Sequence, residues 1–568
     1  MKFIKIFIAT LLFNGMAIAQ IEDINQQSPS EITYADTVIE ANAIYTADDN
    51  NPKVEAIAIL NGRFIHVGNK VDVEALIGPD TETITLDSAF VFPGFTDAHA
   101  HLSGIGQREL SLNLENVTSL AELKSMISNW RSEHPDLPVI VGRGWIETHW
   151  PEKRFPSRWD IDEVIADIPV ILTRADGHAL VANSAALREA NITAQTDVPF
   201  GGAINQNAIG EITGMLIDNA QQLITPVMPE TTADDIATFL ATGSDVYSRY
   251  GWTNIHNMSV SWAEVEAIEA LSDRNELNIR VYNSVDQQYA NDLFQSGLRT
   301  SNNGKAITRA IKLYLDGALG SRGAALIEPY SDAQTSGLLL STKEELMPIL
   351  TQALEEGYQV NTHAIGDRAN RLLLDWYEEA MATVPALGRA VEQPRWRDEH
   401  TQIVNPEDIT RYQQLGVIPS MQPSHAIGDM HFAPARLGDE RLNGAYAWST
   451  LVNSGVIIAG GSDAPVERGE PLIEFYAATA RRDLDGFQGE NWHAEEALTR
   501  DEALKMFTLW PAIASFQEDE IGSIAIGKQA DLSVFSVDLM TAIESDIPKG
   551  KAVMTMVAGE IIYRATSE

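Results

Sequence analysis

The stretch Phe92–Gly104, FPGFTDAHAHLSG, sets two histidines, His99 and His101, one residue apart behind an apolar run and a Pro-Gly pair. An apolar run closed by a loop-like segment has the form of a buried strand that ends at a turn. Residues i and i+2 of a strand point to the same side. Both imidazoles can therefore face inward, with Cα atoms roughly 7 Å apart, and share one cation. A hydrogen-bonded pair beside a turn is the alternative, and the rest of the chain has to decide between the two.

Strand-length runs recur downstream as TNIHNMS, NIRVYNSV, AIKLYLDG, QVNTHAIGD, RDEHTQIV, GVIPSMQPS and VIIAGGSDAP, which with the first make eight. Helical stretches such as TKEELMPILTQALEEG alternate with them. This rhythm of βα units predicts an α/β fold, a (β/α)8 TIM barrel whose chemistry sits at the C-terminal ends of its strands. The piece from about residue 105 to 250 is too long for one connection and carries its own strand-like runs, PVIVGRGW and PVILTRADGHA. It is expected to be an insertion near the barrel mouth. At the chain ends, VEAIAILNGRFIHVG turns at Asn61-Gly62, and GSIAIGKQADLSVFSVD and AVMTMVAGEIIYRA share its short-strand grammar. The two ends are expected to pair in one sheet.

Composition narrows the function. The chain has 568 residues, 80 acidic against 40 basic, for a net charge of −40. So acidic a surface argues against nucleic acid or an anionic membrane as partner. There is no cysteine, so disulfides are excluded and any metal site is built from His, carboxylate or modified Lys. Residues 1–19, with Lys2 and Lys5, an apolar run and Ala17-Ile18-Ala19 before Gln20, have the form of a secretory signal peptide cut after Ala19. A periplasmic or secreted protein with no membrane insertion after cleavage is expected.

The ligand positions favour the metal reading of the opening pair. His363 ends the fifth strand, His400 the sixth and Asp463 the eighth, so four histidines and an aspartate converge on one rim. Histidines with a carboxylate and a position left for water make up a catalytic zinc-type site.

With these residues in view the sequence resembles the amidohydrolase superfamily, and within it amidohydrolase family 3, the YtcJ-like branch. The resemblance rests on PGFTDAHAHL, ADGHALVANSAAL, LDGALGSR, HAIGDRA, EHTQ, QPSHA, GSDAPV and the terminal GSIAIGKQADLSVF. It implies a metal-dependent hydrolase of non-peptide, amide-like C–N bonds in small molecules. It also implies a small β-sandwich made from residues 20–92 and 511–568 around a barrel over 93–510. Many relatives carry a lysine at the position of Lys312 that becomes a carbamate and bridges two metals. Lys312 can ligate only if carbamylated or deprotonated, and a lysine paired with Asp316 or another carboxylate is the competing reading. One or two divalent ions, zinc first among them, are thus implied, held by His99, His101, Lys312, His363, His400 and Asp463.

Asp463 beside the metal is expected to take a proton from water and return it to the departing nitrogen. His178, in the insertion, matches a family motif and could polarise a substrate carbonyl. Arg322, His425 and Trp145 are candidates for contact with substrate; a salt bridge competes for Arg322 and core packing for Trp145, while His425 is expected to line the mouth rather than ligate. An ester, lactone or phosphoester is the alternative substrate, and a non-catalytic exported binding protein the third reading. The state of association, monomer or homo-oligomer, stays open.

Overall fold

The computed structural model describes residues 34–566; the expected signal peptide lies outside them. Eight parallel strands form the barrel: β1 (Phe95–Ala100), β2 (Trp252–Val260), β3 (Arg280–Asp286), β4 (Ala306–Tyr314), β5 (Gln359–Ala364), β6 (Arg397–His400), β7 (Ile418–Met421) and β8 (Ala459–Gly460). Neighbours pair in sequence order from β1 to β8. Their burial is nearly unbroken on both faces, as expected for strands covered by helices outside and side chains within. The ring closes just past β8, where Asp463 N–H donates to His99 O at 2.6 Å and His101 N–H to Ala464 O at 2.8 Å.

The chain ends do pair. An eight-stranded sheet joins Thr37–Tyr45, Lys53–Leu60, Arg63–Gly68, Glu82–Leu86 and Phe90–Pro93 to Leu532–Phe535, Ala552–Val557 and Glu560–Arg564. Its period-two pattern serves two cores. Val91, Leu532 and Val534 fill the small domain with Ile39, Ile57 and Phe64, while Phe92 and Phe535 point the other way and pack on Phe95 under the barrel. Polar contacts pin the junction. Phe95 N–H donates to Ser533 Oγ, which donates to Gly251 O, and the buried Arg280 of β3 makes two hydrogen bonds to Asp531 at 2.6 and 3.0 Å.

The insertion has a separate six-stranded sheet drawn from Leu112–Asn113 through Ile212–Asp218, with its own apolar clusters. The helices that flank it, Leu102–Leu110 and Ala233–Tyr250, pack against each other in the barrel layer. They approach so closely that a Cβ at Gly106 would lie 1.9 Å from Phe239 O and one at Gly243 2.3 Å from Leu102 O. Only glycine fits at either point. Among the described residues no helix is long and apolar enough to cross a membrane.

The Arg280–Asp531 pair generates a prediction about the junction. Arg280→Met leaves a buried carboxylate uncompensated and should destabilise the fold by about 3–5 kcal/mol in denaturant unfolding, whereas Arg280→Met with Asp531→Leu should recover most of that loss. A single variant as stable as the parent would show that the pair does not hold the sheet to the barrel.

Candidate functional site

The residues expected at the C-terminal rim of the barrel do meet there. Asp463 Oδ1 lies 3.0 Å from His101 Nε2 and 3.5 Å from His99 Nε2, and its Oδ2 lies 3.6 Å from His425 Nε2. The rings of His99 and His400 are 4.6 Å apart between centroids, and those of His363 and His400 4.5 Å. Two donor groups, His99–His101–Asp463 and His400–His425–Asp463, share the one carboxylate. Lys312 Nζ sits 3.4 Å from His99 Nε2.

Local backbone puts these side chains on one side. Along β6 the alternation sends Arg397 and Glu399 into the barrel, while Asp398 accepts a hydrogen bond from Tyr412 on the outer helix. His400 should follow Asp398 outward. It turns inward because its φ is +79°, and Asp463 is aimed by a φ of +60°. Both are non-glycine residues in the left-handed region, a conformation held only where the surroundings determine it.

Three of the imidazoles are oriented by an acceptor on Nδ1. His99 Nδ1 is 2.5 Å from Glu399 Oε2, His101 Nδ1 3.1 Å from Met258 O and His400 Nδ1 2.9 Å from Gln422 Oε1. Those oxygens accept a hydrogen bond from Nδ1–H, so in the neutral ring each Nε2 presents a lone pair. The His99 and His101 lone pairs then face Asp463 Oδ1 acceptor to acceptor. Burial holds His99 and His400 well below the ordinary imidazole range, and therefore neutral. For Asp463 burial pushes upward, but the imidazole side chains around it, His99 first, outweigh burial and hold the carboxyl below its usual range, ionised. A cation among these atoms relieves the opposition. His363 adds a buried Nε2 that has no hydrogen-bond partner among the described residues, with Asp316 Oδ1 3.6 Å away. Neutral imidazoles with a carboxylate and no thiolate fit zinc or a similar divalent ion.

Lys312 is buried and, among the described residues, has no carboxylate within ion-pair distance; Asp316, the competing partner, instead accepts the backbone N–H groups of Ala325, Ile365 and Gly366. Burial pushes the Lys312 ammonium down to about 8, which brings its uncharged form within reach near neutral pH.

The insertion contributes His178, whose ring lies 5.2 Å from that of His363. Its Nδ1 is 2.7 Å from Asp218 Oδ1, and Asp218 N–H returns a bond to His178 O. Burial works against a charged His178, but the hydrogen bond and charge of Asp218 prevail and raise its pKa. A cavity of about 240 Å³ bounded by His178, His363, His400, His425, Asp463 and Glu467 adjoins one of about 630 Å³ on the Lys312 side.

Two sequence expectations are corrected. Trp145 does not reach substrate: it is fully buried in the insertion core, its Nε1–H donating to Leu172 O. Arg322 turns away at φ +63° into an ion pair with Asp332 at 2.8 Å, and Ala318, Leu319 and Gly320 line the cavity in its place. His425 is only 8% exposed and lies within ligating reach of Asp463, deeper than a residue of the mouth. Sequence reasoning missed Glu399, Gln402, Gln422 and Asp218. For Glu399 a signal existed, since Arg397 and Glu399 at i and i+2 on a buried strand must face each other.

With this geometry in place, comparisons with known proteins gain meaning. The sequence profile of the amidohydrolase family matches residues 82–563. The chain is 31% identical over 528 residues to the putative amidohydrolase YtcJ of Bacillus subtilis (strain 168), covering 92% of this chain and 98% of that protein. It is 27% identical over 550 residues to an N-substituted formamide deformylase of Arthrobacter pascens, covering 93% and 98%. Among solved structures it resembles an uncharacterized metal-dependent hydrolase of Pyrococcus horikoshii OT3 at a TM-score of 0.72 and 27% identity, covering 89% of this chain and 99% of that one.

Glu399 offers a test of the orienting shell. Glu399→Gln keeps an acceptor near His99 but removes the charge that holds its Nδ1 proton, and should weaken metal affinity by about 10- to 100-fold in chelator competition. Unchanged affinity would mean that His99 is aligned by other contacts.

Proposed function

The chain belongs to the amidohydrolase family of metal-dependent hydrolases, and on that footing we propose that it hydrolyses an amide-like C–N bond of a small molecule, with Asp463 as proton shuttle. The observation that carries this reading is the Asp463 carboxylate, ionised and shared between two groups of imidazole donors at the edge of a closed-in cavity. His99, His101, His363, His400 and Asp463 would hold the ion, zinc being the choice the donor set favours, with Lys312 as carbamate at a second ion. When bound, such an ion polarises the substrate carbonyl and lowers the pKa of water from about 16 toward 7.

The chain's own residues supply the rest. Asp463 takes a proton from the attacking water and returns it to the departing nitrogen, which is a poor leaving group until protonated; such transfer is worth about 10² to 10⁴ in rate. His178, whose protonated form Asp218 favours, donates from Nε2 toward the substrate from the insertion side when it carries that proton. An N-formyl or N-acyl amine suits these roles, and the similarity to the N-substituted formamide deformylase supports trying formamides first. Hydrolysis of formamides, N-acyl amines and cyclic amides, with esters and lactones alongside, tests the bond class. Turnover of esters or lactones alone would overturn it.

Metal counts beside steady-state rates separate the roles. Asp463→Asn should keep much of its metal, because the histidines remain, yet lose at least about 10²-fold in kcat. Lys312→Ala should lose metal, partly restored by short carboxylic acids that replace the carbamate oxygens. Near-normal turnover in the first rejects the shuttle, and unchanged metal in the second rejects the bridge. We also place the protein outside the cytoplasm, on the Ala17-Ile18-Ala19 pattern: N-terminal sequencing of protein recovered from the periplasm should begin at Gln20, and an intact Met1 there would contradict export.

A further inference from the structure

His425 stands apart from the other site histidines in one respect. His99, His101 and His400 each meet an oxygen at Nδ1, whereas His425 Nδ1 meets a nitrogen, Gln402 Nε2 at 3.1 Å. An amide nitrogen only donates, so His425 Nδ1 must be the acceptor. An imidazole that accepts a hydrogen bond at Nδ1 is the neutral ring, since the protonated ring is a donor at both nitrogens. A neutral imidazole with a lone pair at Nδ1 carries its proton at Nε2. That Nε2 is buried and has no hydrogen-bond partner among the described residues; the ring borders the 240 Å³ cavity, with Asp463 Oδ2 at 3.6 Å and Glu467 Oε1 at 3.9 Å from Nε2, both beyond hydrogen-bonding range.

Distance alone would make His425 a third ligand beside His400 and Asp463. The tautomer decides otherwise, because an Nε2 that bears a proton has no lone pair for a cation. The geometry points to His425 as a hydrogen-bond donor to the carbonyl oxygen of the substrate, with Gln402 as the positioning residue that fixes its tautomer. The inference rests on the hydrolase reading above and deepens it. The carbonyl lies between two walls, His425 from the helix Pro423–Asp429 after β7 and His178 from the insertion, whose rings both border the cavity. No proton leaves the His425 ring: it stabilises charge that develops on oxygen, which is where a neutral donor in a buried site is most effective. The substrate class that follows is one with an exposed carbonyl oxygen and a small acyl group, such as a formamide, since the cavity between the two rings is small.

The test compares zinc content after dialysis against excess zinc with kcat/KM on a formamide panel, in four variants. His400→Ala should lose zinc. His425→Ala should hold as much zinc as the parent while kcat/KM falls by about 10²-fold, and His425→Gln, which restores an N–H of similar reach, should recover part of that loss. Gln402→Glu supplies an acceptor to Nδ1, turns the Nε2 lone pair outward, and should bind zinc at least about tenfold more tightly than the parent. Zinc loss in His425→Ala matching that of His400→Ala, or unaltered zinc affinity in Gln402→Glu, overturns the donor assignment in favour of a ligand. If no panel member turns over, the formamide assignment fails by itself, and the zinc measurements still decide the tautomer.

Discussion

The site depends on the seam between the first and last barrel strands. His99 and Asp463 are 364 positions apart, yet their backbones are joined by the Asp463 N–H to His99 O bond, one of the two that close the ring. Asp97 locks the seam from within. Its carboxylate accepts from Ser462 N–H and Oγ–H, from His99 N–H and from Tyr247 Oη–H, and burial pushes its pKa up to about 6. Gly461 allows this closeness, because a Cβ there would lie 2.5 Å from His99 N. With ring closure Asp463 is delivered to the His-x-His pair, and without it the carboxylate has no reason to be there.

The barrel interior beneath the rim sets what each imidazole presents. Glu399 is held by Arg397, which also donates to Ala98 O, Ser420 and His256. The buried guanidinium thus ties β1, β2, β6 and β7 together directly under His99. Buried charges of this kind are tolerable only when every partner is in place, so the network resists movement of the ring above it. The division of labour follows: the barrel orients the cation-binding nitrogens, while the insertion, a separately cored sheet, lowers His178 over the open side.

Much was legible beforehand. The eight strands, the pairing of both chain ends and the place of His99, His101, His363, His400 and Asp463 at strand ends follow from short-range pattern, because strand lengths and the C-terminal rule for barrel rims depend only on local sequence. The bland pairing of Lys312 with Asp316 was open from sequence, and only the structure shows Asp316 engaged with backbone N–H groups instead. Trp145 and Arg322 illustrate the opposite limit. An aromatic or a guanidinium in a promising segment has the same sequence signature whether it faces a cavity, a core or an ion-pair partner.

By itself, then, the sequence determined which residues lie at which strand end, and with that the barrel, its rim and the stock of possible ligands. Only the tertiary structure decided their chemical form. His400 reaches the site through a left-handed backbone that breaks alternation, and the proton positions of His99 and His425 are set by Glu399, distant in sequence, and by Gln402, on a neighbouring strand end. Periodicity describes one chain segment at a time. A tautomer depends on whether the group that meets the ring from another segment is an oxygen or a nitrogen, and that meeting exists only after the barrel has closed.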